Sequence, residues 1–483
     1  MVRLTRSSTD QIQRLLGLAI LLVSLIFDVA LATTPVKSEA QVVSGPGPTI
    51  SCKPPSITRP QPTLPKGFTE QILFSGCLNQ PTALSFSADM TLAFVAEKGG
   101  KVWKCDLSAS TCTQLADLSS EVCNDADRGL LGLAVDPLNV QNVYVLYTTP
   151  SPGVVCSGNV VAVTGGQLSR LSSANGTVTE TKLIPSSTAS SQPWCFYYTS
   201  HSIGGLAFGS DNTTLYVSAG DGASFNTVDY GQLDTACGDG MNLPQGAFRS
   251  QQLNAQPYKD GVILAVTNLS APTPGIAVVS TGLRNPFRFA VNPVNHDLYI
   301  GNVGWNAWES IDHLSNAGQN FGWPCFEGWD PATGAAAPQP DYQNPANTGN
   351  VSYCAGMSAS APFFAYAHGS YVTPADSKAK TCGGRPSGGG PDQNGSVISA
   401  IGFTDNSSTT YPAIYKNALY FGDYLRKCIW MIQMPPPSNT SLPQPQAFAK
   451  GLQGGAVDLK AGPNGDLFYV DLVTSTIRRI THQ

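Results

Sequence analysis

Two short stretches of the sequence hold residues whose types suit catalysis. SHSIGG (200–205) contains His201, one of five histidines in the chain, just before an apolar, alternating run. GLRNPF (282–287) contains Arg284 and Asn285 before a proline, where the backbone is held extended. A neutral histidine accepts a proton near neutral pH, and an arginine fork binds a carboxylate or a developing oxyanion. The plainer alternatives are a polar residue that ends a loop and an arginine that bridges two parts of the fold.

The residues after Arg284 add a candidate ligand-binding surface. Gly304 permits a close approach of its backbone to a ligand. Four tryptophans form either a stacking platform for a sugar or planar ring, or ordinary packing between sheets. They are Trp305, Trp308, Trp323 and Trp329. No GxSxG, HExxH, P-loop or Rossmann fingerprint is present, and neither GDGASF (220–225) nor NDAD (124–127) has the context of a nucleotide or calcium loop.

Strands and turns must position these residues, because one pattern recurs along the chain. It is a short apolar strand, a polar turn rich in Asn, Asp, Gly or Pro, and a second strand with aromatic and β-branched residues. A lone hairpin cannot bury its apolar face, so the copies must pack together. We therefore predict an all-β, six-bladed β-propeller with long inserted loops; a pair of β-sandwich domains is the alternative. The copies are at 83–97, 132–147, 205–222, 288–304, 417–432 and 457–471.

The N-terminus predicts export. Arg3 and Arg6 lead into the apolar run at 15–27, and ALA (30–32) has the small residues of a cleavage site. The run is about 13 residues, shorter than the roughly 20 that span a bilayer. No second run of spanning length follows, so we expect no stable membrane span after cleavage and a secreted protein (periplasmic in a bacterium). The predicted organisation is a signal peptide (1–32), a Pro/Ser/Thr-rich leader (33–64) and a propeller domain (65–483).

The cysteines, the sequons and the net charge agree with a secreted protein. Twelve cysteines without metal-site spacing predict disulfides, and Cys105–Cys112 is the simplest local pair. Charged residues make up 12% of the chain with a net charge of −5, which excludes a nucleic-acid footprint. Seven sequons predict glycosylated surface loops in a eukaryotic secretory pathway. They are Asn175, Asn212, Asn268, Asn350, Asn394, Asn406 and Asn439.

Five longer motifs, in order along the chain, resemble the glucose/sorbosone dehydrogenase family. Its members include soluble sugar dehydrogenases that depend on pyrroloquinoline quinone (PQQ) and are six-bladed propellers. The resemblance covers roughly residues 65–480, and several motifs in register are more specific than one short pattern. The motifs are RGLLGLAVDP (128–137), SHSIGGLAFG (200–209), GLRNPFRF (282–289), DLYIGNVGWNAWESID (297–312) and NFGWPCFEG (320–328).

The resemblance implies a role for each matching residue. His201 would be the general base that removes the proton of a sugar's anomeric hydroxyl while hydride passes to the quinone. Arg284 would polarise the quinone oxygen, and Asn285 would help to hold the cofactor. Calcium would be held partly by the backbone carbonyls of Gly304 and Trp305 and partly by the quinone, and would act as a Lewis acid. The implied cofactors are therefore PQQ and Ca²⁺.

The predicted substrate contacts depart from the family's pattern. Ser200 stands where glucose oxidisers have an acid that contacts the substrate. The glutamine-like substrate position of the family falls on Asp127 or Arg128, whose register the sequence leaves open. Trp305 is a further candidate for contact with the sugar. The identity of the sugar therefore stays open.

The predicted cofactor contacts also depart from the pattern. The final repeat (452–462) lacks the arginines that would neutralise the carboxylates of the cofactor, and Arg426 or Lys427 are the candidates to replace them. Two functions follow. One is a secreted aldose dehydrogenase that uses PQQ and calcium and passes electrons to an external acceptor. The other is a non-catalytic propeller that binds a protein or carbohydrate ligand, as the Hedgehog-interacting relatives do. Retention of His201 with Arg284 favours the enzyme.

Overall fold

Alternating apolar residues and short polar turns build a chain of antiparallel strands. The computed structural model describes residues 40–44, 47–151, 155–156, 164–185, 193–233, 237, 245–251, 259–379, 381–383, 395–436 and 442–483. These belong to one unit, Ser38–Gln483. The predicted signal peptide, residues 33–39 of the leader and the sequons at Asn394 and Asn439 lie outside the described residues.

The strands are numbered in chain order. The first half contains β1 (Gln41–Ser44), β2 (Thr49–Ser51), β3 (Ser56–Ile57), β4 (Phe68–Leu73), β5 (Pro81–Phe86), β6 (Leu92–Glu97), β7 (Lys101–Asp106), β8 (Thr111–Asp117), β9 (Leu130–Val135), β10 (Asn142–Pro150), β11 (Thr164–Ala174), β12 (Thr177–Ile184), β13 (Ile203–Phe208), β14 (Leu215–Ala219) and β15 (Val262–Thr267). The second half contains β16 (Gly275–Thr281), β17 (Arg288–Val291), β18 (Leu298–Asn302), β19 (Trp308–Leu314), β20 (Gln319–Asn320), β21 (Phe326–Trp329), β22 (Ala336–Pro338), β23 (Phe364–Ala367), β24 (Ile398–Phe403), β25 (Leu419–Asp423), β26 (Cys428–Ile432), β27 (Gln446–Lys450), β28 (Ala456–Ala461), β29 (Leu467–Asp471) and β30 (Thr476–His482).

Helices are short. Among the residues that the structure describes, the α-helices are α1 (Pro340–Gln343) and α2 (Pro374–Ala379). The 3₁₀-helices are Gly246–Gln251, Pro345–Asn347, Ala413–Tyr415 and Pro463–Gly465. Within the described ranges, no helix combines the length and apolar character needed to cross a membrane.

Six sheets of four or five strands form the blades of a six-bladed β-propeller, which confirms the predicted fold. From the innermost strand outwards, blade 1 is β5-β6-β7-β8-β2, blade 2 is β9-β10-β11-β12-β1, blade 3 is β13-β14-β15-β16-β20, blade 4 is β17-β18-β19-β23, blade 5 is β24-β25-β26-β27, and blade 6 is β28-β29-β30-β4-β3. Each innermost strand contacts the next, and β28 contacts β5, so the ring closes. A separate two-stranded sheet is β21-β22.

Pairing between the two ends of the chain completes blade 6. The C-terminal strand β30 pairs antiparallel with β4, with Ile477 opposite Leu73 and His482 opposite Phe68. Residues 40–64, which the sequence predicted to be part of a leader, add outer strands: β1 to blade 2, β2 to blade 1 and β3 to blade 6. A hydrophobic cluster fills the space between each neighbouring pair of blades. Every sheet is thereby buried against its neighbours.

Six disulfides join all twelve cysteines, as the spacing predicted. Cys105–Cys112 closes the β7–β8 hairpin, which confirms the local pair. The other pairs are Cys52–Cys77, Cys123–Cys156, Cys195–Cys237, Cys325–Cys354 and Cys382–Cys428. Of the last four, Cys382–Cys428 joins the segment before β24 to strand β26, and Cys123–Cys156 joins the β10–β11 connection to the loop before β9. Cys195–Cys237 and Cys325–Cys354 join loop segments to each other.

Candidate active site

A cavity of about 740 Å³ opens at one end of the ring. Its lining comes from two kinds of position that recur from blade to blade. One is the segment that enters an innermost strand, where Asp127, His201 and Arg284 lie; the other is the turn between the second and third strands, where Lys98 and Gly304 lie. Loops at one end of a propeller therefore bring residues that are distant in sequence to one cavity. Ser200, Asn285 and Trp305 also line it, so most of the predicted site residues meet here.

His201 forms a hydrogen-bonded pair with Asp221. The histidine is buried, and its Nδ1 lies 3.0 Å from Oδ1 of Asp221. The other carboxylate oxygen of Asp221 accepts a hydrogen bond from the indole of Trp323 at 2.8 Å, and Oδ1 also accepts from the backbone of Ala223. Since a carboxylate accepts from Nδ1–H, the neutral ring has its lone pair on Nε2. This is the tautomer that a general base requires.

The backbone around His201 is constrained. His201 has φ of +53°, in the left-handed region that side-chain-bearing residues rarely adopt. Its carbonyl accepts from the backbone N–H of Gly222, and the N–H of Asp221 donates to the carbonyl of Arg284 at 2.8 Å. A Cβ at Gly220 would collide with the backbone of His201, so glycine permits this close packing. Unfavoured backbone geometry of this kind is often found where a side chain is aimed for function.

Electrostatics keep His201 neutral. Burial, together with the positive charge of Arg284, lowers the pKa of His201 below its usual 6.5, and this outweighs the effect of Asp221. Burial opposes ionisation of Asp221, but the charges of His201 and Arg284 hold its pKa below its usual value. His201 is therefore an unprotonated base at neutral pH.

Arg284 lies beside the loop after β18. Its Nη1 donates to the carbonyls of Val303 at 3.2 Å and Gly304 at 2.6 Å. The guanidinium also lies over the ring of Trp323, at 5.5 Å from the centroid. Asn302 fixes the turn, since its Oδ1 accepts from the backbone N–H groups of both Arg284 and Asn285. The arginine that bridges blades is Arg288, which donates to the carbonyls of Val457 in blade 6 and Thr82 in blade 1.

A buried carboxylate holds the loop that contains Gly304 and Trp305. Oε1 of Glu327 accepts hydrogen bonds from four consecutive backbone N–H groups, those of residues 305–308, at 2.7–3.2 Å. A Cβ at Gly304 would collide with the carbonyl oxygen of Trp308, so only glycine fits there. Trp305 alone of the four tryptophans lines the cavity, and its indole donates to the carbonyl of Phe225. Trp323 and Trp329 are buried, as the packing interpretation expected.

The structure resolves the open register before RGLLG. Asp127 faces the cavity, and its Oδ2 accepts from the hydroxyl of Ser200 at 2.6 Å. Arg128 is buried instead, and its Nη2 donates to the carbonyls of residues 196–198. The polar surface beside His201 is thus an aspartate hydrogen-bonded to a serine.

The two candidate replacement cations do not line the cavity. Arg426 is buried and pairs with Asp423 at 3.4 Å, while its guanidinium donates to the Ser396 hydroxyl and to backbone carbonyls. Lys427 is exposed in the β25–β26 turn. Neither side chain is placed to contact a ligand beside Arg284, because the turn directs one into the protein and the other to solvent.

The cavity fits a planar, anionic cofactor. Its lining includes the cations Lys98 and Arg284 and the imidazoles of His201 and His368. Its wall also contains aromatic rings, and the buried hydroxyl of Ser202 has no hydrogen-bond partner among the described residues. This combination of cations, aromatic faces and an unsatisfied polar group suits PQQ, which carries three carboxylates on a flat ring system.

Calcium is not matched by the protein's donors alone. The Gly304 carbonyl already accepts from the guanidinium of Arg284, which would repel a cation bound there. Among the described residues, the one cluster of three Cys, His or acidic side chains is Cys52, Cys77 and Cys112, all of them in disulfides. A calcium ion at this loop would therefore need an anionic ligand between it and Arg284.

Sequence reasoning missed three residues of the two histidine–carboxylate pairs: the buried Asp221, and His368, which lines the cavity, with its buried partner Glu309. Asp221 lies in GDG (220–222), which drew attention for its glycines. The signal was in the hairpin: Ile203 pairs with Ala219, so the residues just before β13 and just after β14 must meet.

Comparisons with known proteins agree with the family resemblance and with this fold. A model of the family described as glucose/sorbosone dehydrogenase matches residues 78–369, more than half of the chain. No curated protein matches. The chain is similar in structure to the soluble aldose sugar dehydrogenase of Escherichia coli in its apo form (15% identity, TM-score 0.54), covering 86% of this chain and 100% of that one. It is also similar to a Trichoderma reesei carbohydrate-active enzyme of family AA12 in a calcium structure (15% identity, TM-score 0.53), covering 89% and 98%. At these identities the likeness shows the fold.

Proposed function

The chain belongs to the glucose/sorbosone dehydrogenase family, and from that premise we propose that it oxidises an aldose at the anomeric carbon with PQQ as its cofactor. The observation that carries the proposal is His201, whose Nδ1 is held by Asp221 while the ring lines the same cavity as Arg284. When bound, PQQ supplies the electrophilic carbonyl that accepts hydride from the substrate.

The protein's part in the reaction is proton transfer and charge stabilisation. His201 takes the proton of the anomeric hydroxyl at Nε2 as the C–H bond of the anomeric carbon breaks and the carbon–oxygen double bond of the lactone forms. Asp221 stabilises the imidazolium that results, because its carboxylate accepts from Nδ1–H. Arg284 places a permanent positive charge beside the reacting groups and disfavours premature protonation of His201.

The residues around the base are proposed to bind the sugar and the cofactor. Asp127 and Ser200, joined by a 2.6 Å hydrogen bond, offer an acceptor and a hydroxyl to the sugar. Trp305 offers an aromatic face at the cavity wall. Asn285 offers an amide to the cofactor. The backbone carbonyls of Gly304 and Trp305 would hold Ca²⁺ only where an anionic cofactor offsets the charge of Arg284, and the ion would then act as a Lewis acid.

We propose that the protein is secreted and passes electrons to an external acceptor. Six disulfides support an oxidising compartment. Five sequon asparagines are exposed, which is where glycans are accommodated. They are Asn175, Asn212, Asn268, Asn350 and Asn406.

Reconstitution tests the proposal. Purified protein loaded with PQQ and Ca²⁺ is expected to reduce a dye when an aldose is added. His201→Ala is expected to lower kcat on the order of 10²–10⁴-fold, the usual contribution of a general base, and to retain PQQ binding. His313→Ala is the matched control, because His313 pairs with Asp297 at 2.8 Å on the outside of blade 4. No binding of PQQ in a titration would overturn the enzyme and favour the non-catalytic binding propeller.

A further inference from the structure

A second histidine–carboxylate pair faces the same cavity. His368 follows β23, and its Nε2 lies 2.6 Å from Oε1 of Glu309 in β19. Glu309 is fully buried, and its other oxygen accepts from the backbone N–H of Ile398 at 3.0 Å. The His368 ring lines the cavity with His201 and Arg284. Its Nδ1 has no hydrogen-bond partner among the described residues.

The position of His368 is fixed from three sides. Its backbone N–H donates to the carbonyl of Ala307, in the loop that Glu327 holds. Its own carbonyl accepts from the guanidinium of Arg426 at 3.1 Å. Glu309 is held by the register of β19 and β23, in which it lies opposite Tyr366. A ring held this firmly offers one defined direction for its free nitrogen.

The charges around His368 favour its protonated form. The ionisable groups that face it are Glu309 from β19, Glu327 from β21, Arg284 from the turn before β17 and Arg426 from the β25–β26 turn. Burial alone would lower the pKa of His368, but the hydrogen bond and charge of Glu309 raise it above its usual 6.5. A protonated His368 presents a donor at Nδ1.

The proposed cofactor needs such a donor. PQQ carries three carboxylates, and neither Arg426 nor Lys427 faces the cavity. Lys98 already donates to Asn124 at 2.6 Å. We propose that His368 is a cofactor-binding residue, which donates from Nδ1 to a carboxylate of the quinone while Glu309 holds the opposite edge of the ring. This inference rests on the proposed function.

Calorimetric titration of PQQ into the cofactor-free, full-length protein tests it. Binding is measured at about pH 5.5 and about pH 8.5, on either side of the titration of a histidine. Wild type is expected to bind about tenfold more weakly at the higher pH, the scale of one charge-assisted hydrogen bond. His368→Gln is expected to bind about tenfold more weakly at the lower pH and to lose most of the pH dependence.

Two control variants isolate the effect. His313→Gln removes the matched histidine outside the cavity and is expected to keep wild-type affinity at both pH values. His201→Gln removes the other histidine of the cavity and is expected to keep the pH dependence that His368 causes. Wild-type affinity and pH dependence in His368→Gln would overturn the role of His368 and leave the proposed function standing.

An NMR titration of the histidine side chains further distinguishes a failure of the proposed role of His368 from a failure of the proposed function. In the cofactor-free protein, the pKa of His368 is expected above 6.5 and that of His201 below it. If wild type and every variant fail to bind PQQ, the proposed function fails, and the role of His368 with it. A measured pKa of His368 below 6.5 overturns the role of His368 whatever the cofactor does.

Discussion

The cavity contains two histidine–carboxylate pairs whose rings respond to opposite environments. His201 lies 3.0 Å from Asp221, and its pKa is lowered. His368 lies 2.6 Å from Glu309, and its pKa is raised. Two groups of one chemical type with pKa values moved in opposite directions are a common basis for separate roles in one site. From this contrast we assign the role of general base to His201 and the role of protonated hydrogen-bond donor to His368.

The difference comes from what else each carboxylate and ring contact. Asp221 also accepts hydrogen bonds from the Trp323 indole and the Ala223 backbone, so its charge is distributed over several donors. For His201, burial and then the charge of Arg284 are the largest causes and together outweigh Asp221, whereas for His368 the influence of Arg284 ranks behind those of Glu309 and Glu327. A histidine–carboxylate contact alone therefore does not set protonation, because burial, the nearest cation and the other partners of the carboxylate also contribute.

The largest expected effect comes from removing the carboxylate of each pair. Asp221→Asn keeps the shape of the side chain but no longer fixes Nε2 as the unprotonated nitrogen or stabilises the imidazolium. We expect kcat to fall on the order of 10²–10⁴-fold at saturating PQQ and sugar. Glu309→Gln is expected to weaken PQQ binding about tenfold with a smaller loss of kcat.

The surface pair of His313 and Asp297 supplies the control for this comparison. Asp297→Asn removes a carboxylate 2.8 Å from a histidine outside the cavity, and kcat and PQQ affinity are expected to stay at wild-type values. Equal losses of kcat in Asp221→Asn and Glu309→Gln would contradict the division of roles. So would a PQQ dissociation constant unchanged in Glu309→Gln.

A smaller effect is expected when Arg284 is substituted, and it is measured as a change in the pKa values of the two histidines. Arg284→Gln removes the positive charge, so the pKa of His201 rises and its proton is lost at a higher pH. The pKa of His368 also rises, but Arg284 ranks behind Glu309 and Glu327 among its causes, so we expect the gap between the pKa values of the two histidines to narrow. Histidine NMR of the cofactor-free protein measures both, and Arg284→Lys, which keeps the charge, is the control. An unchanged gap in Arg284→Gln would show that the charge of Arg284 does not separate the two pairs.

The lowered pKa of His201 also predicts the pH dependence of kcat/KM in the wild-type enzyme. His201 must be unprotonated to act as a base, so kcat/KM falls as the pH drops through its pKa. Because burial and Arg284 lower that pKa, the acid limb is expected below about pH 6.5. A limb above that value would contradict the assignment of His201 as the base.

The propeller was predictable because its signals are local. Hairpins such as 205–222 and 288–304 carry both strands and their turn in under twenty residues, so alternation and turn chemistry suffice. The outer strands that the leader contributes were not predictable from the sequence. β1 and β3 are two to four residues long, and β1 pairs with β12, with Val42 opposite Thr179. A strand this short carries no periodicity that would name a partner so distant in the chain.

The site residues also differ in whether a local sequence signal could predict them. His201, Arg284 and Gly304 lie in motifs, and hairpin pairing alone places Arg284 near Gly304, since Arg288 lies opposite Gly301. The pair of His368 and Glu309 has no such signal, because a long insertion separates β19 from β23. Arg426 has the positive charge that a cofactor carboxylate would need and lies in a turn between the second and third strands of a blade. Its side chain, however, donates to buried acceptors and does not line the cavity. Side-chain direction in a turn is decided by packing that the sequence does not display.

The smallest expected effect tests why Asp221 and Glu309 differ. Trp323→Phe keeps a ring beside Arg284 but removes the indole N–H that donates to Asp221. The carboxylate then attracts the proton of His201 more strongly, so the pKa of His201 is expected to rise slightly and kcat to fall only a few-fold. Trp430→Phe is the matched control, because its indole donates to buried Asp376 at 2.9 Å in another blade. If Trp323→Phe leaves the pKa of His201 unchanged, the indole does not weaken Asp221, and the contrast comes from burial and the other charged and hydrogen-bonding neighbours of each ring.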